Sequence, residues 1–323
     1  MLFLEEITYI RGSTAMIQSI LSQAVDAARP VTELGQTATY IPELGKMDKH
    51  HLGACIFTRE GQRCCAGDTD VRFSIQSISK VISLAVALEL CGFDTVFERV
   101  GMEPSGEAFN AMGKLEAVGS TPSNPMINAG AIAVDSYLEP HISFEKMLDF
   151  TRKLCMDPQI TLDEKVYHSE MSHISRNRAI AYLLENTGVI RSDVERTLDF
   201  YVRMCSLSVT AESLAGLGLV LAGGGICPAT GVRLLSPDTV RVVKTIMLTC
   251  GMYDGSGTFA VQVGIPSKSG VGGGILSVVD GRMGIGIFGP ALDGKGNSLA
   301  GIQVLRTLSR ELHLHIFDPA EHH

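Results

Sequence analysis

The pattern of hydrophobic and polar positions predicts β-strands near both ends of the chain. The first two predicted strands flank a short polar turn, as in a β-hairpin. The predicted strands span residues 52–58, 63–66, 259–263, 274–279 and 283–288. Apolar residues at helical spacing predict a helix before the hairpin, at residues 14–29, and another after the last strand, at residues 298–312.

The middle of the chain, from residue 77 to about residue 225, shows helical periodicity and no convincing strand pattern. Three glycines at residues 223–225 end this block, and one more helix follows it. The predicted helices span residues 77–90, 94–100, 109–117, 129–137, 143–155, 161–171, 176–185, 192–205, 211–221 and 237–250.

This order predicts an α/β (α+β) fold in which strands from both ends of the chain share one antiparallel sheet. An all-helical block inserted between such strands forms a second domain, and the two terminal helices cover the sheet. We therefore expect a discontinuous sheet domain, at residues 1–75 and 226–323, and an all-α domain at residues 76–225. That organisation is typical of the β-lactamase/transpeptidase fold.

Composition and charge exclude several classes of function. The 323 residues are 45% hydrophobic and 19% charged, which is typical of a globular protein large enough for two domains. A net charge of −8 without a basic stripe argues against nucleic acid as a partner. The acidic start has no long apolar run, and no segment reaches membrane-spanning length, so we expect a cytoplasmic protein without a membrane partner.

The cysteines and histidines predict neither a metal site nor a redox pair. The eight cysteines contain no C-x-x-C spacing, so free buried thiols in a reducing cytosol are expected. His313 and His315 form an isolated H-x-H near the end, too few ligands for a metal site. The closing pair His322 and His323 carries no functional prediction.

The sequence Ser77-Ile78-Ser79-Lys80 at the head of the most apolar predicted helix is the main candidate for chemistry. Spacing i, i+3 places the Ser77 hydroxyl and the Lys80 amine on one helix face, roughly 5–6 Å apart at Cβ. Burial favours a neutral lysine, and a neutral amine can take the proton of a serine nucleophile. A lysine inside an apolar helix requires such an explanation.

S-x-x-K by itself is a weak motif, because the chain contains it twice. Ser143 begins the second match, which ends at Lys146, and Ser143 is most simply the N-cap of an ordinary amphipathic helix. The first match is followed much later by Lys268-Ser269-Gly270, and this combination is typical of serine β-lactamases and penicillin-binding proteins. A glycine pattern at residues 284–289 resembles a dinucleotide motif but lies inside a strand, so no dinucleotide site is expected.

The combined motifs resemble the serine-dependent glutaminase family over about residues 40–288. Before this resemblance is considered, Asn128 is simply a helix N-cap, and Glu170 and Asn177 lie on a solvated helix face. The segments that carry the resemblance are residues 73–81, Asn128-Ala129-Gly130-Ala131-Ile132, Ser169-Glu170, Asn177-Arg178-Ala179, Tyr201 ahead of Cys205-Ser206, Tyr253, and residues 268–274.

The resemblance implies Ser77 as the nucleophile, Lys80 as its base, and Tyr253 as a proton relay or orienting group. It also implies hydrolysis of L-glutamine without a metal or organic cofactor, in a homodimer or homotetramer. Lys268 would order the site rather than touch the substrate. The implied substrate-binding residues are Tyr40, Ser77, Asn128, Glu170, Asn177, Tyr201, Tyr253 and Val271.

The chemistry of glutamine agrees with these residue types. A buried α-ammonium needs an acidic partner, which Glu170 supplies, and the N–H groups of Ser77 and Val271 suit an oxyanion hole. Attack on the amide releases ammonia and leaves a γ-glutamyl ester that water hydrolyses. Two alternatives remain: a β-lactamase or carboxypeptidase with the same nucleophile, which nitrocefin hydrolysis would reveal, and a non-catalytic ligand-binding module on the same fold.

Overall fold

A computed structural model describes residues 14–105 and 121–318 of the chain. The helix predicted at residues 109–117 and the pair His322 and His323 lie outside the described residues. Most other predicted helices are confirmed, with small shifts of their ends. The helices are α1 (Thr14–Ala28), α2 (Ser79–Cys91), α3 (Phe93–Phe97), α4 (Asn128–Leu138), α5 (Phe144–Cys155), α6 (Glu164–Ser172), α7 (Ser175–Asn186), α8 (Val194–Cys205), α9 (Ala211–Ala222), α10 (Pro237–Cys250), α11 (Ser256–Gln262) and α12 (Leu299–Leu312).

Strands from both ends of the chain form one five-stranded antiparallel sheet, as predicted. Its order is β2-β1-β8-β7-β6, so the N-terminal hairpin pairs with the last strand. A smaller sheet has the order β3-β5-β4. The strands are β1 (Gly53–Thr58), β2 (Arg63–Gly67), β3 (Phe73–Ser74), β4 (Thr161–Leu162), β5 (Leu207–Val209), β6 (Ser267–Ser269), β7 (Gly274–Val279) and β8 (Met283–Phe288).

Helices cover both faces of the five-stranded sheet, because its central strands are apolar on both sides. Along β1, Ala54 and Ile56 join the hydrophobic cluster that includes α1 and α12. The alternate residues Cys55 and Phe57 join the larger cluster that includes α9 and the helical part of the chain. The α9 helix thus packs on the sheet although it lies within residues 76–225, whose separation as a domain stays a prediction.

Glycines in β8 allow α9 to pack directly on the sheet. A Cβ atom at Gly284 would lie 2.1 Å from the backbone nitrogen of Leu219, and one at Gly286 would lie 2.0 Å from the carbonyl oxygen of Ala211. The glycine pattern at residues 284–289 therefore serves close backbone packing. None of the described helices has the length and apolar character needed to cross a bilayer.

The strand predicted at residues 259–263 is wrong, because this segment lies mostly in α11. Phe259 and Val263 are buried while Val261 between them is 80% exposed. Buried residues at spacing i, i+4 fit a helix face, but in so short a segment they also fit the alternation of a strand.

Two of the three strands of the smaller sheet, β4 and β5, contradict the prediction of no strand between residues 77 and 225. These strands contain two or three residues each and are too short to show an alternating pattern. One of them occupies the start of the helix predicted at residues 161–171. That helix begins instead after Asp163, whose Oδ1 accepts hydrogen bonds from the amides of Lys165 and Val166.

The expectation of free thiols is wrong for two of the eight cysteines. Cys55 and Cys65 are direct partners across β1 and β2, with Cα atoms 4.2 Å apart, and a disulfide joins them. Cysteine spacing could not show this, because the pairing depends on the register of the hairpin. The other six are free thiols: Cys64, Cys91, Cys155, Cys205, Cys227 and Cys250.

The contact between α9 and β8 predicts that Gly286→Ala lowers the thermal unfolding midpoint. The added methyl group has to displace backbone, and overpacking of this kind costs about 1–3 kcal/mol. Gly257 in α11 is the matched control, because a Cβ atom added there would meet nothing within 4 Å, and Gly257→Ala should raise stability by about 0.5–1 kcal/mol. Equal midpoints for the two variants would contradict this packing.

Candidate active site

Ser77 lies in a single turn of 3-10 helix, Gln76–Ile78, directly before α2. Gln76 has a φ of 49°, a left-handed conformation that costs a non-glycine residue of order 1–3 kcal/mol. The Gln76 side chain is nevertheless buried, at 3% exposure, and donates a hydrogen bond to Glu170 over 3.3 Å. Backbone strain is therefore concentrated at the residue before the candidate nucleophile.

The glycine-rich segment after Lys268 packs against the backbone that leads to Ser77. A Cβ atom at Gly270 would lie 2.8 Å from the Ile75 carbonyl oxygen, and one at Gly272 would lie 2.3 Å from that of Ser74. Only residues without a side chain allow this approach. The two motifs recognised in the sequence, far apart along the chain, are thus in direct contact.

Lys80 is the second residue of α2 and is 2% exposed. Its Nζ donates hydrogen bonds to Asn128 Oδ1 at 2.7 Å and to the Met126 carbonyl oxygen at 3.2 Å. Burial lowers the pKa of Lys80 to about 8, although Cys205, Asp135 and Glu170 favour the charged form. The neutral amine is therefore a minor but accessible form near neutral pH.

Tyr253, from the C-terminal part of the chain, lies close to Ser77. Burial raises the pKa of the Tyr253 hydroxyl. Hydrogen bonding to the Ser77 side chain and to the Val271 backbone opposes that rise, so the hydroxyl lies close to both. Lys268 Nζ lies 4.5 Å from the centre of the Tyr253 ring and donates to the Ser269 carbonyl oxygen at 2.6 Å. Burial and the charge of Lys80 hold the pKa of Lys268 well below its usual value. Lys268 thus contacts Tyr253 from its ring face.

Hydrogen bonds connect two predicted substrate-binding residues, Asn128 and Asn177, to each other and to Lys80. Asn128 Nδ2 donates to Asn177 Oδ1 at 2.9 Å, so Asn128 joins Lys80 to Asn177. Glu170 is 7% exposed, and its burial raises its pKa to about 7. The solvated-face interpretation of Glu170 is therefore wrong. Glu170 and Asn177 lie on two successive helices, α6 and α7.

A small cavity brings most of the predicted site residues together. Its lining includes six of the predicted residues, from Ser77 to the half-exposed Tyr40. Lys80, Tyr253 and Val271 are buried around Ser77 without lining this cavity themselves. The lining residues are Tyr40, Ile41, Gln76, Ser77, Asn128, Glu170, His173, Ile174, Arg176, Asn177 and Tyr201.

Three buried residues near Lys80 were not recognised as site residues in the sequence. Gln76 donates a hydrogen bond to Glu170. The Sγ of Cys205 lies 3.7 Å from the Oγ of Ser79. Asp135, on α4, is 2% exposed. The sequence contained a signal for Asp135, because a single carboxylate in a largely apolar helix needs a functional or structural explanation, as Lys80 does. Cys205 and Gln76 carry no such signal, since buried cysteine is ordinary and Gln76 depends on an unusual φ.

The second S-x-x-K match is the helix cap that was predicted. Ser143 precedes α5, and its Oγ accepts a hydrogen bond from the Lys146 amide at 3.4 Å. Among the described residues, the metal-ligand cluster Cys55, Cys65 and Glu212 contains the disulfide, and none of its members lines the cavity.

The antiparallel sheet with its helices, and a buried serine and lysine at a helix entrance, define a protein with the β-lactamase-like fold. The family model named Glutaminase matches residues 35–317. The chain belongs to the glutaminase family, whose members are amidohydrolases that act on glutamine.

Curated relatives and solved structures agree with this assignment. A glutaminase from Clostridium tetani is 49% identical over 306 residues, covering 94% of this chain and 100% of that protein. Glutaminase 2 from Clostridium perfringens is 49% identical over 305 residues, covering 93% and 100%. The structure of a probable glutaminase from Bacillus subtilis, complexed with 6-diazo-5-oxo-L-norleucine, superposes with a TM-score of 0.84 at 39% identity, covering 93% and 97%.

The raised pKa of Glu170 predicts a pH-dependent gain in stability for Glu170→Gln. A carboxyl group whose pKa is raised by burial binds more protons in the folded state than in the unfolded state between its two pKa values. Wild-type stability therefore falls relative to the neutral glutamine variant as pH rises through that range. Thermal unfolding from about pH 5 to about pH 8 should show a growing advantage for Glu170→Gln, and a constant difference would contradict burial of an ionised Glu170.

Proposed function

We propose that this chain hydrolyses L-glutamine to L-glutamate and ammonia through a γ-glutamyl ester on Ser77. One observation carries the mechanism: Ser77 lines the same cavity as Glu170, and Lys80 and Tyr253 are buried around it. The scheme requires no metal or organic cofactor, since the chain supplies every acid, base and donor that amide hydrolysis needs.

Lys80 is proposed as the base for Ser77. With a pKa of about 8, its neutral form is accessible without a large cost, and Asn128 and the Met126 carbonyl fix the amine one helical turn from the hydroxyl. The Ser77 proton passes to Lys80 as Oγ attacks the side-chain amide carbon, and the departing nitrogen receives a proton to leave as ammonia. Tyr253 orients the hydroxyl and relays that proton.

The oxyanion formed on attack is proposed to bind the backbone N–H groups of Ser77 and Val271. Val271 is buried beside Tyr253 in a small hydrophobic cluster. Gly270 and Gly272, on either side of Val271, pack on the backbone of residues 74 and 75, so the two N–H groups belong to segments in direct contact. Donors fixed in advance are effective because they require no reorganisation during the reaction.

The amino-acid end of glutamine is proposed to bind the polar lining of the cavity. Glu170 supplies the one carboxylate in that lining and pairs with the α-ammonium. Hydroxyl and amide donors suit the α-carboxylate, and the proposed set is Tyr40, Asn128, Asn177, Tyr201 and Tyr253. A cytoplasmic location stays a prediction from the sequence, and a homodimeric or homotetrameric assembly stays a prediction that follows from the resemblance.

Covalent labelling tests the nucleophile directly. The probe is 6-diazo-5-oxo-L-norleucine, which forms a covalent complex with a Bacillus subtilis glutaminase. Peptide mapping of this chain after incubation should locate the adduct on Ser77, and Ser77→Ala should remain unlabelled. Ammonia release from glutamine by the unlabelled wild type is the parallel assay, and an adduct on any other residue would contradict the proposal.

If Ser77 and Lys80 act as one unit, their substitutions should not be additive. Ser77→Ala and Lys80→Ala should each lower kcat by at least about 10³-fold, and the double variant should lose little more. The second S-x-x-K supplies the matched control, because Ser143→Ala with Lys146→Ala should leave kcat unchanged. Multiplicative losses in the Ser77 and Lys80 double variant would show that Lys80 is not the base.

The fixed separation of Glu170 and Ser77 should prevent efficient hydrolysis of asparagine. Loss of one methylene contact costs only about 1–3 kcal/mol, but an asparagine held by its α-groups leaves its amide carbon short of Ser77. A misplacement of about 1 Å can cost a further 10²-fold in rate, so discrimination should exceed about 10³-fold and affect kcat as well as KM. D-Glutamine should also fail, and comparable ammonia release from asparagine would refute the assigned ends of the site.

A further inference from the structure

The last turn of α4 contains a buried carboxylate that the proposed mechanism does not use. Asp135 is 2% exposed, and its Oδ1 has no hydrogen-bond partner among residues 14–105 and 121–318. The position is also electrostatically unfavourable, because a negative charge in the last turn opposes the helix dipole. Ala131, Ile132 and Leu138, one turn before and after Asp135 on α4, are apolar and offer the carboxylate no side-chain partner.

Asp135 faces the helix that carries Lys80. It lies two helical turns along α4 from Asn128, which holds the Lys80 amine. Burial raises the pKa of Asp135 to about 7, and the Ser83 hydroxyl, one turn along α2 from Lys80, is close enough to hydrogen-bond to the carboxyl group and opposes that rise. Because this pKa lies below that of Lys80, Asp135 is mostly ionised in the pH range in which Lys80 titrates. Spacings of three and seven residues keep Lys80 with Ser83, and Asn128 with Asp135, on the two facing surfaces of α2 and α4.

We infer that Asp135 is a positioning residue that sets the protonation state of Lys80 during glutamine hydrolysis, an inference that rests on the proposed function. Lys80 faces titratable groups on four elements: Asp135 on α4, Glu170 on α6, Cys205 on α8 and Lys268 on β6. Asp135 in turn faces Lys80, Ser83, Cys205 and Tyr201. Among the described groups that face Lys80, Asp135 and Glu170 are the two carboxylates.

These two carboxylates have different roles once the substrate is bound. Glu170 lines the cavity and is proposed to pair with the substrate ammonium, which reduces its effect on Lys80. Asp135 does not line the cavity, so the substrate does not pair with it and its effect on Lys80 persists when the substrate is bound. It stabilises Lys80 as an ammonium after the proton of Ser77 has been taken, and it keeps the resting pKa of Lys80 from falling further with burial.

The pH profile of Asp135→Asn tests this inference. Loss of the negative charge lowers the pKa of Lys80, so the acid limb of kcat/KM should move to lower pH by at least about 0.5 unit, since a nearby opposite charge shifts a pKa by about 1–3 units. The plateau of kcat should fall as well, because a less basic amine accepts the proton of Ser77 less readily. The unfolding midpoint should not fall, because the variant removes a buried carboxylate with an unpartnered oxygen.

Two further variants complete the experiment. Ser83→Ala removes the hydrogen bond that keeps Asp135 ionised, so it should move the acid limb in the same direction by a smaller amount, even if Asp135→Asn fails to fold. Ser136→Ala is the matched control, because Ser136 is buried on the same helix and donates only to the Ala133 carbonyl oxygen. Its acid limb should coincide with that of the wild type.

The outcomes separate this inference from the proposed function. If the wild type releases no ammonia from glutamine, the proposed function fails. If the wild type is active and the acid limbs of Asp135→Asn and Ser83→Ala coincide with it or move to higher pH, the role of Asp135 is overturned and the function stands. A lower unfolding midpoint together with an unchanged acid limb of the pH profile would show that Asp135 has a structural role and not the inferred one.

Discussion

The burial of a lysine in the first turn of an apolar helix is the constraint on which the candidate site depends. Every residue from Ser79 to Leu88 is buried in α2, and Lys80 is the only charged residue among them. A charge taken out of water in this way is expensive unless it is neutralised, paired or hydrogen-bonded. The structure uses all three means, with a pKa lowered to about 8, hydrogen bonds donated to Asn128 and Met126, and carboxylates nearby.

These contacts explain the arrangement of the surrounding elements. Asn128 begins α4 because its side chain must reach both Lys80 and Asn177, and Gly130 in the same turn lets the helix approach the Asn124 backbone. On the other side, the glycines after Lys268 bring β6 and β7 against the strained turn at Gln76. The position of Ser77 is thus fixed by backbone packing from two parts of the chain that are far apart in sequence.

The longer elements could be predicted from the sequence, because a pattern sustained over six or more residues and bounded by turn residues distinguishes a strand from a helix. The pattern at residues 274–279 and 283–288 gave the strand bounds that the structure shows, and so did the helix at residues 237–250. The predictions for short segments were wrong, because a two-residue strand shows no period and the segment from Phe259 to Val263 fits both the helical and the strand period. The Cys55–Cys65 pair depends on register, which turn length and packing decide together.

Site residues could be predicted where they belong to a motif whose spacing suits a known reaction. They could not be predicted where their burial depends on the tertiary fold. Ser77, Lys80 and the K-S-G segment were recognised because their spacing relates to a reaction. Glu170 is different, since its helix is polar over most of its surface and gives no sign that this one side chain is enclosed. Only the packing of α6 against the rest of the helical part shows that the carboxylate is nearly inaccessible, and the resemblance to a family supplied what local pattern could not.

The concentration of buried charge also indicates what the substrate contributes. Lys80, Lys268, Glu170 and Asp135 are all at most 7% exposed, and burial opposes the charged form of each. The two hydrophobic clusters on either side of the sheet have to offset that cost in the free protein. In the proposed binding mode, a zwitterionic amino acid adds no net charge but places an ammonium beside Glu170, which in the free protein accepts a hydrogen bond from the Gln76 amide. Under this proposal, binding relieves an unfavourable charge and leaves Asp135 as the remaining carboxylate partner of Lys80, which is the condition in which the proton of Ser77 must be taken.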